Sequence, residues 1–398
     1  MTRSTRFRAL IAVTTMTAIS LTACGSQTSS SSSGATAPGV TANSVLIGST
    51  QPLTGVAAPG YDEIAPAAQA YFNYLNAQGG VNGRKITLKY VDDGYNPTQT
   101  VTQTRQLVLQ DKVFAMLGAL GTPTHTKVVD FLNSERVPDL FVASGCVCWN
   151  EPQQHPETFG WQPDYLIEGK ILGQYINQNF AGKKVAYFYQ DDDFGKNGMQ
   201  GLDKYIPKNL VTTRQPYQPG TTDITAQVTA IAASRPSVVV LDTVPAYTAL
   251  FKLTALKLGF APTMVVSNVG SDPLTLEGLL QADAKSAGSS ISQPSQLIEG
   301  MVTDTYLPSL GDTSNSWITL FKKIHDQYLA KLPFDGNVGY GMAVAYTFAQ
   351  ALQAAGKNPT RQGLIDALQK GGLSGPGIVP FRYSSSNHSG YTGVQVGT

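Results

Sequence analysis

Residues 238–266 read VVVLDTVPAYTALFKLTALKLGFAPTMVV, and this stretch decides the fold. Val238 to Leu241 is a short apolar, β-branched run that suits a strand buried on both faces. Residues 246–258 place apolar side chains at helical spacing, and Gly259 stops the helix. Met264-Val265-Val266 is a second apolar strand. A strand, a helix and a strand within about 30 residues make one parallel unit.

The pattern extends in both directions. Strands are expected at 45–49, 85–91, 113–117 and 140–142, with helices at 63–78, 97–111 and 123–133 between them. The alternation restarts with helices at 165–180, 198–206 and 223–233 and a strand at 184–189. Helices dominate afterwards, at 317–329, 342–354 and 362–368. Two blocks of alternation predict two α/β domains, each a mostly parallel sheet flanked by helices. Ligands bind such sheets at the carboxyl ends of the strands. That geometry selects the loops 50–61, 118–125, 144–148, 242–245 and 267–270 as candidate site segments.

The chain has 398 residues, with 28 Lys and Arg against 27 Asp and Glu. Such a balance argues against nucleic acid as a partner, because phosphate binding needs clustered cations. No apolar run reaches the roughly 18 residues that a spanning helix needs. The N-terminus is an address. Arg3, Arg6 and Arg8 precede a diluted apolar stretch ending in Leu21-Thr22-Ala23-Cys24, which describes a secretory signal peptide. The four residues ending in Cys24 resemble a bacterial lipobox, so Cys24 is the expected lipidation site. Residues 26–38 are rich in Ser, Thr and Gly and make a flexible tether. Outside the cytoplasm, Cys146 and Cys148 either form a tight disulfide or stay reduced. A zinc site built from them with His125 or His155 lacks a recognisable ligand spacing, so no metal or other cofactor is expected. No phosphate loop, complete dinucleotide fingerprint, zinc-protease His pair or nucleophile elbow is present.

A set of motifs in order carries a resemblance. Ile47-Gly48 leads to Gln51-Pro52-Leu53-Thr54-Gly55. Residues 76–86 read NAQGGVNGRKI, and Asp92-Asp93-Gly94-Tyr95-Asn96-Pro97 follows. Later come residues 190–196, QDDDFGK, and Gly339-Tyr340-Gly341. Over residues 44–398 the chain resembles the branched-chain-amino-acid type of solute-binding protein of ABC transporters. The resemblance implies a two-lobed, Venus-flytrap fold with three hinge crossovers that closes over a ligand. The expected divisions are a signal peptide at 1–23, a tether at 24–43, one lobe at 44–162 and 303–379, and the other at 163–302 and 380–398. The crossings then fall near Gln162, Thr303 and Pro380.

The resemblance also implies site residues. In the family, first-lobe hydroxyls and backbone N–H groups hold a carboxylate, a role that falls here on Thr122 and on Ser144-Gly145-Cys146. Thr122 also suits a helix cap, and the two roles are compatible. Asn268 stands where amino-acid binders place an acid for the ammonium group, Phe194 where they often place Tyr, and Cys146 where they often place Thr. Tyr61, Trp161 and Phe194 are the aromatic candidates for ligand contact. A neutral Asn268 suits an amide, hydroxyl or carbonyl, so the expected ligand is a partly apolar carboxylate or amide rather than a zwitterionic amino acid. Asp242 or Asp272 is the alternative source of the missing charge.

The expected function is therefore that of an extracytoplasmic, lipid-anchored monomer, not an enzyme. It would capture a small organic solute and deliver it to the permease of an ABC importer, touching the membrane through its anchor only. Two other readings remain: a sensory or regulatory module on the same fold, and an extracytoplasmic hydrolase.

Overall fold

The structure is a computed structural model and describes residues 37–398 apart from Ala287 and Ser289. Cys24, the signal segment and most of the tether lie outside the described residues.

The first sheet contains β1 (Ser44–Gln51), β2 (Lys85–Asp92), β3 (Met116–Leu117), β4 (Asp139–Leu140) and β5 (Thr158–Phe159). They are ordered β2-β1-β3-β4-β5, and every pairing is parallel. The second sheet contains β6 (Val185–Gln190), β7 (Val211–Tyr217), β8 (Val238–Asp242), β9 (Thr263–Val266) and β10 (Val302–Thr305). The hairpin β11 (Phe381–Ser384) and β12 (Asn387–Tyr391) follows. The last strand, β13 (Gln395–Gly397), closes the second sheet as β13-β10-β9-β8-β6-β7. Only β13 runs antiparallel in that sheet. These are the two expected parallel α/β domains.

The 238–266 unit folds as the sequence predicts. All five β8 residues are buried. The helix Pro245–Lys257 begins on Pro245, which has no N–H to leave unpaired. It ends in a Schellman turn: Phe260 N–H donates to the Ala255 carbonyl at 2.9 Å and Gly259 N–H to Leu256 at 3.0 Å. Gly259 sits at φ +63°, where a glycine carries no Cβ penalty.

Other segments differ from expectation. The helix expected at 198–206 is Asp193–Leu202, because Asp192 caps it by accepting from Phe194 N–H at 2.9 Å. The Asp191-Asp192-Asp193 run is therefore a helix start. The helix expected at 123–133 is two short ones, Thr122–His125 and Val129–Ser134. β7 escapes pattern reading because it is a polar edge strand containing Pro216.

The third crossing is also displaced. The β11–β12 hairpin stays with the first sheet: Gly160 N–H donates to the His388 carbonyl at 2.9 Å, and Tyr391 N–H donates to Trp161 at 2.9 Å. Phe159 stacks on His388 with ring centroids 3.6 Å apart. The chain thus joins the second sheet between Tyr391 and Gln395, not at Pro380. The helices Ser316–Tyr328 and Gly336–Ala354 pack on the helix Ile64–Ala77 of the first lobe. Among the described residues, no helix is long and apolar enough to cross a membrane.

Candidate functional site

A cavity of about 700 Å³ opens where loops from the carboxyl ends of both sheets meet. The first lobe contributes Tyr61, Tyr95, Thr122 and Ala143; the second contributes Phe194, Val244 and Asn268. The lobes touch across it. Tyr61 Oη donates to the Val269 carbonyl at 2.6 Å, and Gln190 Nε2 donates to Tyr95 Oη at 3.1 Å. Val147 N–H donates to Asn197 Oδ1 at 3.1 Å, and Gly336 N–H to Asp272 Oδ2 at 2.9 Å.

Of the residues expected in the site, Thr122, Tyr61, Phe194 and Asn268 line the cavity. The other four do not. Ser144 stands directly behind Thr122, their hydroxyl oxygens 2.6 Å apart. Both hydroxyls also engage Tyr165, and Ser144 Oγ accepts from Cys146 N–H at 3.2 Å. Gly145 is pressed against Tyr165: a Cβ there would lie 2.8 Å from its ring. Cys146 is bonded to Cys148 and packs with Val129, Val142 and Trp149, away from the cavity. Trp161 is fully buried, set edge-on to Tyr306, Tyr340 and Tyr391, and its indole N–H donates to Thr347 Oγ1 at 3.1 Å. It packs the hinge region instead of facing a ligand, which is the commoner fate of a buried ring.

Asn268 occupies the expected place but is already engaged. Its Nδ2 donates to Glu168 Oε1 at 2.8 Å and to Asp304 Oδ2 at 2.9 Å. Its backbone N–H reaches the same two carboxyl groups at 3.0 and 3.1 Å. The negative charge that seemed missing is present one layer deeper. Burial, then the neighbouring Asp304, pushes the Glu168 carboxyl well above the carboxylate range. Burial raises Asp304 to about 6, opposed by hydrogen bonds from Glu168 and Asn268. Asp242 is pushed well up by burial and by Glu168. At neutral pH the Glu168–Asp304 pair therefore holds one proton and one negative charge between its two carboxyl groups. Asp304 lines the cavity; Glu168 sits behind it.

Sequence reading missed Glu168, Asp304, Tyr165, Tyr306 and Tyr340. The available signal was position. Tyr165 and Glu168 follow the first crossing within one or two helical turns, and Asp304 and Tyr306 lie just after the second. A hinge segment necessarily passes the floor of the cleft. Among the described residues, no group of three or more His, Cys, Asp or Glu is placed to hold a metal ion.

Residues 44–398 match the family model described as periplasmic binding protein. The Leu/Ile/Val-binding protein homolog 3 of Brucella melitensis is 27% identical over 211 residues, which is 49% of this chain and 53% of that protein. The amino acid binding protein of Pseudomonas aeruginosa is 28% identical over 208 residues, 49% of this chain and 52% of that one. The chain thus spans about half the length of these curated relatives. Two solved structures share the fold. A branched-chain amino acid ABC transporter protein from Thermus thermophilus with bound valine superposes with a TM-score of 0.74 at 20% identity, over 89% of this chain and 92% of that one. A fatty acid ABC transporter substrate-binding protein from Thermomonospora curvata does so with 0.78 at 23% identity, over 91% and 90%. A model matched over residues 44–398 covers both sheets and the cavity between them: the chain belongs to the periplasmic binding protein family, whose members bind solutes rather than transform them.

Proposed function

We propose that this protein captures a small organic solute in the interlobe cavity, closes over it, and presents it to an ABC importer. Lipid at Cys24 would hold it on the outer side of the membrane. The observation that carries this reading is a cavity lined from both lobes and bridged by the Tyr61–Val269 and Tyr95–Gln190 hydrogen bonds. A ligand touching both walls favours the closed arrangement by its differential affinity for it. The relatives described as Leu/Ile/Val-binding and amino-acid-binding support a small organic solute on the scale of an amino acid.

The test is a thermal-shift panel of amines, amides, amino acids and carboxylic acids on residues 25–398, followed by scattering. A binder present at 100 times its Kd stabilises the native state by about 2.7 kcal/mol. Its saturating addition should also shrink the radius of gyration. A panel without a single binder, or a binder that leaves the scattering profile unchanged, contradicts the reading. Anchoring is checked separately: Cys24→Ala should release the protein from the membrane fraction.

A further inference from the structure

We propose that the captured solute is an organic cation with an apolar body larger than a leucine side chain, its positive group directed toward Asp304. The inference rests on the capture reading and gives it a ligand class.

Three observations carry it. The first is the sign of the wall. Among the described residues lining the cavity, the carboxyl side chains are Asp272, Asp304 and Asp335, and none of the lining residues is Lys, Arg or His. Asp304 is 3% exposed, and every donor on it and on Glu168 is neutral: Asn268, Ser267 and the carboxyl proton that the pair itself holds. A buried carboxylate without a counter-charge favours an incoming cation, and a bare anion entering the same space meets only repulsion.

The second is the aromatic lining. Tyr61, Tyr95, Tyr165, Phe194, Tyr306 and Tyr340 all border the cavity. Ring faces attract ammonium groups, most strongly where water is excluded. Tyr165 packs against Phe194 with ring centroids 4.5 Å apart, and its own helix carries Glu168 one turn further on.

The third is that the anion receptor is closed. The Thr122 and Ser144 hydroxyls, expected to receive a carboxylate, bond each other at 2.6 Å and engage Tyr165. Ser144 does not reach the cavity surface. Size completes the argument. At about 30 Å³ per water-sized group, 700 Å³ holds more than twice the roughly nine non-hydrogen atoms of leucine. The surplus wall is apolar, including Leu274, Met301, Leu310, Ile318 and Phe321.

A matched series separates charge from shape: 3-phenylpropylamine, 3-phenylpropanamide and 3-phenylpropionate, with phenylalanine as the zwitterion. Calorimetry on residues 25–398 at pH 7.5 should rank the amine first, the amide about tenfold weaker and the carboxylate weakest. Asp304→Asn should cost the amine about tenfold and leave the neutral amide unchanged, which also shows that the variant is folded. A carboxylate or phenylalanine that binds at least as tightly as the amine overturns the cation assignment and leaves capture standing. An Asp304→Asn variant that weakens amine and amide equally overturns it as well. If neither this series nor the wider panel binds, both readings fall.

Discussion

The two walls of the cleft solve the problem of buried polarity in opposite ways. On the first lobe, the Thr122 and Ser144 hydroxyls satisfy one another, with Tyr165 of the opposite lobe beside them, and carry no charge. On the second, Asn268 bridges Glu168 and Asp304, and a net negative charge remains that no lining cation balances. The first arrangement is complete without a ligand; the second is not. A closed network contributes to stability and shape, whereas an unbalanced one is where binding energy can be gained. The contrast also revises the ligand expected from the sequence. Neutral Asn268 suggested a carboxylate or amide, but Asn268 is the donor that holds the acids in place rather than a substitute for them.

Removing that donor should give the largest effect on stability. Asn268→Leu takes away both side-chain bonds to the carboxyl pair while leaving the charge on Asp304. The pair carries one charge, so one bond contributes about 1.5–3 kcal/mol and the other, to a protonated carboxyl, about 1; chemical denaturation at pH 7 should show a loss of about 2.5–4 kcal/mol. As pH falls below about 6, Asp304 takes up a proton and the bonds become neutral ones. The loss at pH 5 should then shrink to roughly half. An equal loss at both pH values would mean that the wall is not charged.

The matching cut on the other wall should be smaller and flat with pH. Thr122→Val removes the Thr122–Ser144 bond and leaves the buried Ser144 hydroxyl with the Cys146 N–H, at a cost of about 0.5–1.5 kcal/mol. No carboxyl group takes part, so denaturation between pH 5 and 8 should show one constant difference. Affinity for 3-phenylpropylamine should stay within about threefold of the parent. A larger fall would assign the first wall a direct part in holding the cation.

The smallest effect belongs to a third acidic group at the seam between the lobes. Glu63 is raised to about 9, by burial first and then by Asp335, with Asp272 of the opposite lobe adding a minor part. A carboxyl raised in the folded state binds a proton that the unfolded chain has lost. Stability therefore falls as pH climbs from its ordinary value near 4.5 toward 9. Glu63 is partly exposed, so solvent screening keeps the contribution below about 1 kcal/mol. Glu63→Gln should flatten the decline in melting temperature between pH 7 and 9, and an unchanged slope would remove Glu63 from that account.

How much of this was legible in the sequence follows from the range of the interactions. Residues 238–266 form β8, a helix and β9 because apolar runs, Pro245 and Gly259 each act over a few neighbours. Thr122, Phe194, Tyr61 and Asn268 reach the cavity for the same reason, since each follows a strand or loop that local pattern places at a sheet end. The errors come from contacts distant in sequence. Trp161 turns into a nest of Tyr306, Tyr340 and Tyr391, all more than 140 positions later. Asn268 meets Glu168 a hundred residues earlier and Asp304 across the sheet. Nothing near Glu168 in sequence marks it as different from any helix-surface acid; only folding buries it. The polar β7 and the Asp192 cap were missed for a different reason: an edge strand and a capping acid both look like loop until a partner is known.

The central claim is that Asp304 supplies the charge that selects the ligand, and pH tests it most directly. The probe should be benzyltrimethylammonium, whose charge is fixed. The groups facing Asp304 are Glu168 from its helix, Asp242 from β8 and Asn268 from the β9 loop, and Asp304 is the acid whose titration falls near 6. Calorimetry from pH 8 to pH 5 should show constant affinity above about 7, then a loss approaching tenfold by pH 5 as the carboxylate is protonated. Asp304→Asn should abolish that dependence. Affinity that stays constant across the range, or that rises as pH falls, would contradict the account.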